Sequence, residues 1–478
     1  MKTSLIFCAL LIALPGLAPA RAAAKSVAQQ GRSCHLPGSE EALRCVALRV
    51  PLDYARRNGE SLPLHVTIAP AFREAARSDP LFVLAGGPGQ AGTDVLVLLN
   101  NTFRRVRATR DIVFIDQRGT GLSGKLDCPR TPNEESLTEA ESDAAARACI
   151  AAIKQPFSAY STDNATRDIE QVRSALGYDA INLWGASYGT RLAQSYARAY
   201  PGRVRAAILD GVLQPEQVIP AGGRDGQAAL ELVFRQCALD PACHRAFPAI
   251  RAEYAALSAR VASGAVKLQL PDPRTARPLK LDMTSDRFLG TVHSILYSAL
   301  DARRLPYLIH SAHNGQWEPF VARRNVASDL SADGPVARLM HLAVVCAEDF
   351  PRLTPQLQAL DAAALTAPML ERMSAMCAMM KMTPATYRAP TAIVSPVLML
   401  SGELDPVTPP HRAEAAGQYM QKVQHLSVAW AGHGVSQLGC APRLLREFLD
   451  KPADKVNGAC LKEIPAPTFQ LGSAGPQP

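Results

Sequence analysis

The segment "NLWGASYGTRLAQSYARAYP" (residues 182–201) joins an apolar run to a helix-like run through a serine between two glycines, Gly185-Ala186-Ser187-Tyr188-Gly189. The pentapeptide alone recurs by chance. A buried strand ending at Trp184 and a helix starting directly after the serine make it the context of a nucleophile elbow. The glycines have a physical task in such a turn. The serine is forced into a strained backbone conformation, and side chains on its neighbours would collide with the strand and the helix. The new helix also points its amino end at the serine, which favours developing negative charge. Ser187 is therefore the candidate nucleophile.

Outward from this turn the chain repeats the same alternation. "LFVLAG" (81–86), "DIVFID" (111–116), "INLWG" (181–185), "RAAILDG" (205–211), "VLMLSG" (397–402) and "HLSVAW" (425–430) are short runs rich in Val, Ile and Leu, bounded by Gly, Pro or Asp. Such runs suit strands buried on both faces of a parallel sheet. Helix-like stretches lie between them, so the expected fold is α/β, with a doubly wound, mostly parallel sheet. Ahead of this, "CVALRVPLDY" (45–54) and "LPLHVTIAPA" (62–71) flank an Asn-Gly turn signal and predict a hairpin at the sheet's edge. The alternation breaks between 213 and 390, where the pattern is mostly helical, and resumes near 396. The expected organisation is a core part at 33–212, a helical cap or lid insertion at 213–390 and a second core part at 391–463. The Pro- and Gly-rich end, 464–478, is expected to be a disordered tail.

A serine nucleophile needs a base and an orienting acid. In this fold class the chain order is serine, acid, histidine. "VLMLSGELDPVTPPHR" places Asp405 in the loop after a strand, and "HLSVAWAGHGV" places His433 just past the next one, where loops at the carboxyl ends of parallel strands gather. Glu403 and Asp210 are rival acids, ranked below Asp405. "LAGGPGQAG" (84–92) supplies glycines whose bare N–H groups can face a substrate carbonyl. Pro88 has no N–H, so Gly86 or Gly87 must donate; Gly87 is preferred, with the Tyr188 amide as the second donor of the oxyanion hole. Asp116 and Arg118 in "DQRGTGLSG" are expected to pair beneath the site, with Arg118 buttressing the glycine loop.

The bulk of the sequence limits the function classes. With 478 residues, 47% hydrophobic and 20% charged, the chain reads as globular and as larger than one simple core. The net charge of +8 is spread without a basic run or aromatic interleaving, which excludes nucleic-acid binding as the expectation. "MKTSLIFCALLIALPGLAPARA" (1–22) reads as a secretory signal peptide, too short in its apolar stretch to span a bilayer; no later segment qualifies as a membrane helix. Of 11 cysteines, Cys8 lies in that signal. The other ten fall in local couples that predict five disulfides: Cys34–Cys45, Cys128–Cys149, Cys237–Cys243, Cys346–Cys377 and Cys440–Cys460. None of the couples has zinc-knuckle spacing, so no metal and no cofactor is expected, and the predicted location is periplasmic or secreted.

"GGPG", "DQRGTGLSG", "GASYGT", "GELDPVTP" and "GHG" together resemble the proline iminopeptidase and tripeptidyl aminopeptidase family of α/β-hydrolases, in its secreted branch with a tripeptidyl-aminopeptidase-like carboxyl-terminal region. The resemblance covers about 45–212 and 390–460 and is weaker across the insertion, where "VVCAEDFPR" (344–352) looks like a segment of that branch. One departure is Ala85, where close relatives often carry His. The resemblance implies an α/β-hydrolase fold and a serine exopeptidase that removes proline, or di- or tripeptides, from free amino termini. It assigns the catalytic roles to Ser187, Asp405 and His433. An aminopeptidase must also bind an ammonium group, and Glu348 and Asp349 are the expected acids. A carboxylesterase acting on small or aromatic esters with the same triad is the alternative, and a non-catalytic binder is disfavoured because every catalytic element is present.

Overall fold

The computed structural model describes residues 31–475 except 57, 74–75, 130–136, 138, 274, 328–335 and 363; the expected signal peptide at 1–22 lies outside the described residues. Nine strands form one sheet: β1 (Arg32–Cys34), β2 (Leu43–Pro51), β3 (Ser61–Ala69), β4 (Leu81–Leu84), β5 (Ile112–Ile115), β6 (Ile181–Ala186), β7 (Val204–Asp210), and, past the insertion and its hairpin β8 (Val266–Pro271) and β9 (Pro278–Met283), β10 (Val397–Gly402) and β11 (Val423–Val428). Their order is β1-β2-β3-β5-β4-β6-β7-β10-β11. From β5 to β11 every neighbouring pair is parallel, while β1, β2 and β3 join antiparallel at one edge.

The apolar runs explain the layering. Successive side chains of a strand point to opposite faces. Phe82, Leu84, Val113, Ile115, Leu183, Leu209, Val397 and Met399 enter one buried cluster. Leu81, Val83, Ile112, Phe114, Trp184, Ile208, Leu398 and Leu400 enter the cluster on the other face. Helix α1 (Tyr188–Ala199) covers the first with Leu192, Ala193, Tyr196 and Ala197. A later amphipathic helix, Ala441–Asp450, covers the second with Leu444, Leu445, Phe448 and Leu449.

The insertion carries a cluster of its own, built around Phe234, Phe288, Trp317 and Phe320. Its helices include α2 (Gly223–Leu239), α3 (Ser285–Leu296), α4 (Arg338–Val344) and α5 (Ala367–Met380). Three features differ from the sequence expectation. First, the β8–β9 hairpin interrupts the helices, because Leu268, Leu270, Leu281 and Met283 alternate inward against outward Lys267, Gln269, Lys280 and Asp282. Second, α4 lies inside the expected cap, yet Leu339, Met340, Leu342, Ala343 and Val344 pack into the sheet's own cluster. Third, the end of the chain is not a disordered tail over 464–475. Phe469 is 5% exposed in the insertion's cluster, the Arg303 guanidinium stacks 4.5 Å from its ring centroid, and the Gln470 amide donates to the Arg303 carbonyl. A single large aromatic with an apolar pocket outweighs the low-complexity composition around it. Residues 476–478 lie outside the described residues.

Five disulfides are closed, Cys34–Cys45, Cys128–Cys149, Cys237–Cys243, Cys346–Cys377 and Cys440–Cys460. Among the described residues no helix is long and apolar enough to cross a membrane.

Candidate active site

Ser187 stands between β6 and α1 with φ 54° and ψ −125°, a left-handed backbone that a non-glycine residue adopts only under strain. The turn is tight enough to exclude side chains on either side. A Cβ on Gly185 would sit 2.3 Å from the Gly189 carbonyl oxygen, and one on Gly189 would sit 2.0 Å from that of Leu84. The Ser187 amide donates to the Asp210 carbonyl at 3.0 Å, and Thr190 donates to the Ser187 carbonyl through both its amide and its hydroxyl. The backbone of Ser187, the candidate nucleophile, is thus pinned to β7 and to the first turn of α1.

Asp405 and His433 meet across the loops that follow β10 and β11. His433 Nδ1 lies 2.8 Å from Asp405 Oδ2. The other carboxylate oxygen accepts the amides of Val407 and Thr408 at 2.9 and 2.8 Å, and the Thr408 hydroxyl donates to Asp405 Oδ2 at 2.6 Å. Burial pushes the Asp405 carboxyl up, but the His433 charge and these hydrogen bonds outweigh it and hold it below the usual carboxylate range. Burial likewise pushes His433 down, yet the Asp405 charge and hydrogen bond, with a further contribution from Asp210, raise it above the ordinary imidazole value. The rival Glu403 is exposed, and the rival Asp210 is buried but spends its carboxylate on the amides of Val435 and Ser436.

Ser187 and His433 are not hydrogen-bonded to each other among the described residues. Both adjoin the end of β7: the Ser187 amide is bonded to the Asp210 carbonyl, and a Cβ on the next residue, Gly211, would lie 3.1 Å from His433 Cε1. Two contributors went unread in the sequence. Thr408 was legible as a residue three places after an aspartate in a turn. Tyr297 was not, because it follows α3 in the insertion, 136 positions before the histidine. Its carbonyl accepts the His433 amide at 2.8 Å, and its ring stands edge-on at 5.1 Å between centroids.

The glycine loop after β4 is held from three sides. The Gly86 amide donates to Gln90 Oε1 at 3.2 Å, so that donor is already used. The Gly87 amide has no partner among the described residues, and Gly87 has φ 104°, a conformation suited to glycine. Tyr188 stands at the first position of α1, where a helix leaves its amide unsatisfied. Gln117 Nε2 donates to the Ala85 carbonyl, and α4 contributes the Ala337 amide to the Gly89 carbonyl and His341 Nδ1 to the Pro88 carbonyl. Arg118 does not buttress this loop and does not pair with Asp116. It is fully buried on Asp168, with two bonds of 2.7 Å, while Asp116 accepts the amides of Thr93 and Leu122. Side chains two apart leave on the same side only while the segment stays extended, and here β5 ends at Ile115 and Arg118 lies inside a turn closed by the Thr120 amide on the Gln117 carbonyl.

Glu348 and Asp349 are also placed otherwise than expected. Asp349 is fully buried and takes Arg191 through two bonds of 2.9 and 3.1 Å and Arg352 at 2.7 Å. Glu348 accepts the amide and the hydroxyl of Thr162, at 2.7 and 2.6 Å, and the Tyr188 hydroxyl lies 2.8 Å from that same threonine oxygen. Both acids are therefore engaged by the protein itself rather than held free for an ammonium group. Their surroundings are the π-helical turn Val345–Asp349 that continues α4, so sequence proximity to Cys346 gave no sign of the pairing. Among the described residues no three His, Cys, Asp or Glu are grouped to hold a metal ion.

A profile for the alpha/beta hydrolase fold matches residues 79–264, and one for TAP-like proteins matches residues 363–460. The chain thus carries an α/β-hydrolase region and a TAP-like region, and is similar to the TAP-like α/β-hydrolases. Similar proteins include the serine protease Hip1 of Mycobacterium tuberculosis, 32% identical over 189 residues and 36% of each chain. The tripeptidyl aminopeptidase of Streptomyces lividans is 27% identical over 37% of this chain and 36% of its own. Carboxylesterase B of Mycobacterium tuberculosis is 31% identical over 42% of each. The matches to the protease and the aminopeptidase span little more than a third of those relatives' length. Among solved structures, an α/β-hydrolase from a deep-sea metagenome library aligns with 84% of this chain and 98% of its own, at 14% identity and a TM-score of 0.38.

Proposed function

We propose that the protein is a serine hydrolase acting as an aminopeptidase, which releases residues from free peptide amino termini through an acyl-enzyme. Ser187 attacks the scissile carbonyl while His433 takes its proton; Asp405 holds the imidazole in the required tautomer and stabilises the imidazolium. The oxyanion forms against the amides of Gly87 and Tyr188. The imidazolium then gives its proton to the leaving amine. A water molecule, deprotonated by the same imidazole, cleaves the ester and restores the Ser187 hydroxyl. The observation that carries this reading is the hydrogen bond between buried Asp405 and His433, set beside a serine at positive φ on a strand-to-helix turn.

The choice of peptide over ester rests on the relatives named as a serine protease and a tripeptidyl aminopeptidase. The second reading, a carboxylesterase, is favoured by one observation: Glu348 and Asp349 are both bonded within the protein. The insertion at 213–390 serves as the cap that shapes entry to the site, with Tyr297 bringing it onto the catalytic histidine. Five disulfides suit an oxidising compartment, so the protein works in the periplasm or outside the cell.

A panel of anilides and esters separates the readings. The mature protein should release chromophore from unblocked aminoacyl or tripeptidyl anilides and ignore their amino-acetylated forms. Equal turnover of both forms rejects the aminopeptidase, and ester turnover without amide cleavage selects the esterase.

A further inference from the structure

Asp210 is a buried carboxylate that the proposed mechanism leaves without a role. It is 3% exposed at the carboxyl end of β7, and it is bonded in two directions at once. Its main-chain carbonyl accepts the amide of Ser187 at 3.0 Å. Its side chain accepts the amide of Val435 at 2.9 and 3.0 Å and that of Ser436 at 2.8 Å, in the loop directly after His433. The Ser436 hydroxyl in turn accepts the indole N–H of Trp184, which lies on the nucleophile's strand. The next residue, Gly211, has φ 66° and no room for a side chain: a Cβ would lie 3.0 Å from the Thr408 hydroxyl and 3.1 Å from His433 Cε1. The backbone at 210–211 is the surface on which the imidazole rests.

We infer that Asp210 is the positioning residue that sets His433 against Ser187, its carbonyl holding the nucleophile's turn and its carboxylate holding the loop that carries the base. The inference rests on the reading of Ser187, His433 and Asp405 as the triad. A carboxylate suits the task because it accepts only, and charge-assisted bonds to two amides are shorter and stronger than neutral ones. Burial pushes the Asp210 carboxyl up, the bonds from Ser436 and Val435 and the nearby His433 pull the other way, and the ionised carboxylate also acts on the imidazolium. The other groups facing His433 are Asp405, bonded to Nδ1, and His293 and Tyr297 from and beside α3. Asp210 adds a second negative charge to that set and favours the protonated ring.

The test compares Asp210→Asn and Asp210→Glu in the full mature enzyme, on one substrate, across pH. Asn keeps an acceptor and loses the charge. Its kcat should fall about 10- to 100-fold, the scale of a misplaced catalytic group, at an unchanged KM. The acid limb of kcat/KM should move to lower pH, since the ring then loses its proton more easily. Glu keeps the charge and displaces the loop, so kcat should fall while the acid limb stays. Wild-type kcat in either variant overturns the inference. A fall in kcat for Asn with an unmoved acid limb also overturns it, because a purely structural residue gives that result. If the Asn variant does not fold, Asp210→Ser, which likewise removes the charge, is read in its place on the same two criteria. Full turnover in Ser187→Ala would instead sink the triad reading itself, whatever the Asp210 variants do.

Discussion

His433 is partly buried, which pushes its pKa down, yet the carboxylate of Asp405 keeps it above the ordinary 6.5. A base acts only when neutral, so kcat/KM should fall as pH drops through that raised value, with the acid limb above pH 6.5. His293, packed nearby, is pushed by burial down to about 4 and stays uncharged through the same range, so this limb belongs to His433. Asp405→Asn removes the charge and the tautomer lock together. Turnover should drop about 10,000-fold, read from steady-state kinetics on any cleaved substrate, and near-normal turnover would hand the role to another acid. Asp349 tests the opposite kind of claim. Truncation to Ala strips the buried Arg191 guanidinium of its carboxylate, which should cost about 3–5 kcal/mol in a urea melt and leave KM for free-amino substrates unaltered. A large rise in KM at full stability would return this acid to the substrate.

At the level of elements, the parallel strands were legible because each buried run is short, branched and bounded by turn residues. The β8–β9 hairpin lies in a stretch whose overall pattern is helical, and its alternation shows only where Leu268, Leu270, Leu281 and Met283 share a face. Sequence pattern places α4 in the lid because periodicity reports that a face is apolar, not which core receives it. In the structure α4 and its π-helical turn abut the glycine loop and the helix behind Ser187, and the Cys346–Cys377 bond ties that turn to α5 across 31 positions. Replacing both cysteines by serine should lower stability by about 3 kcal/mol, measured by denaturant titration without reductant. Stability equal to the parent would show that packing alone holds the segment.

Over the whole molecule, two stretches separated by the insertion build one sheet. β10 pairs with β7 in parallel, and Arg110 is bonded to Asp450 and the Leu449 carbonyl, some 340 positions away. The end of the chain then crosses back and seats Phe469 in the insertion's cluster. Phe469→Ala should destabilise the protein by about 3 kcal/mol, seen as a lower midpoint in thermal or chemical unfolding, whereas a truly loose tail would tolerate the change without effect.

By itself the sequence determined what depends on neighbours along the chain: the strand runs, the glycines of the serine turn, the pairing of each cysteine with the next one along the chain, and Asp405 and His433 as loop residues after strands. Only the tertiary structure decided which groups meet across long distances. Arg118 met Asp168 and not Asp116, Arg191 claimed Asp349, and Tyr297 came from the insertion to hold the histidine loop. The reason is physical. Local conformation follows from backbone sterics and from the period of apolar side chains, which a single segment displays. A buried charge takes whatever partner the packed fold carries to it, and no segment records that partner.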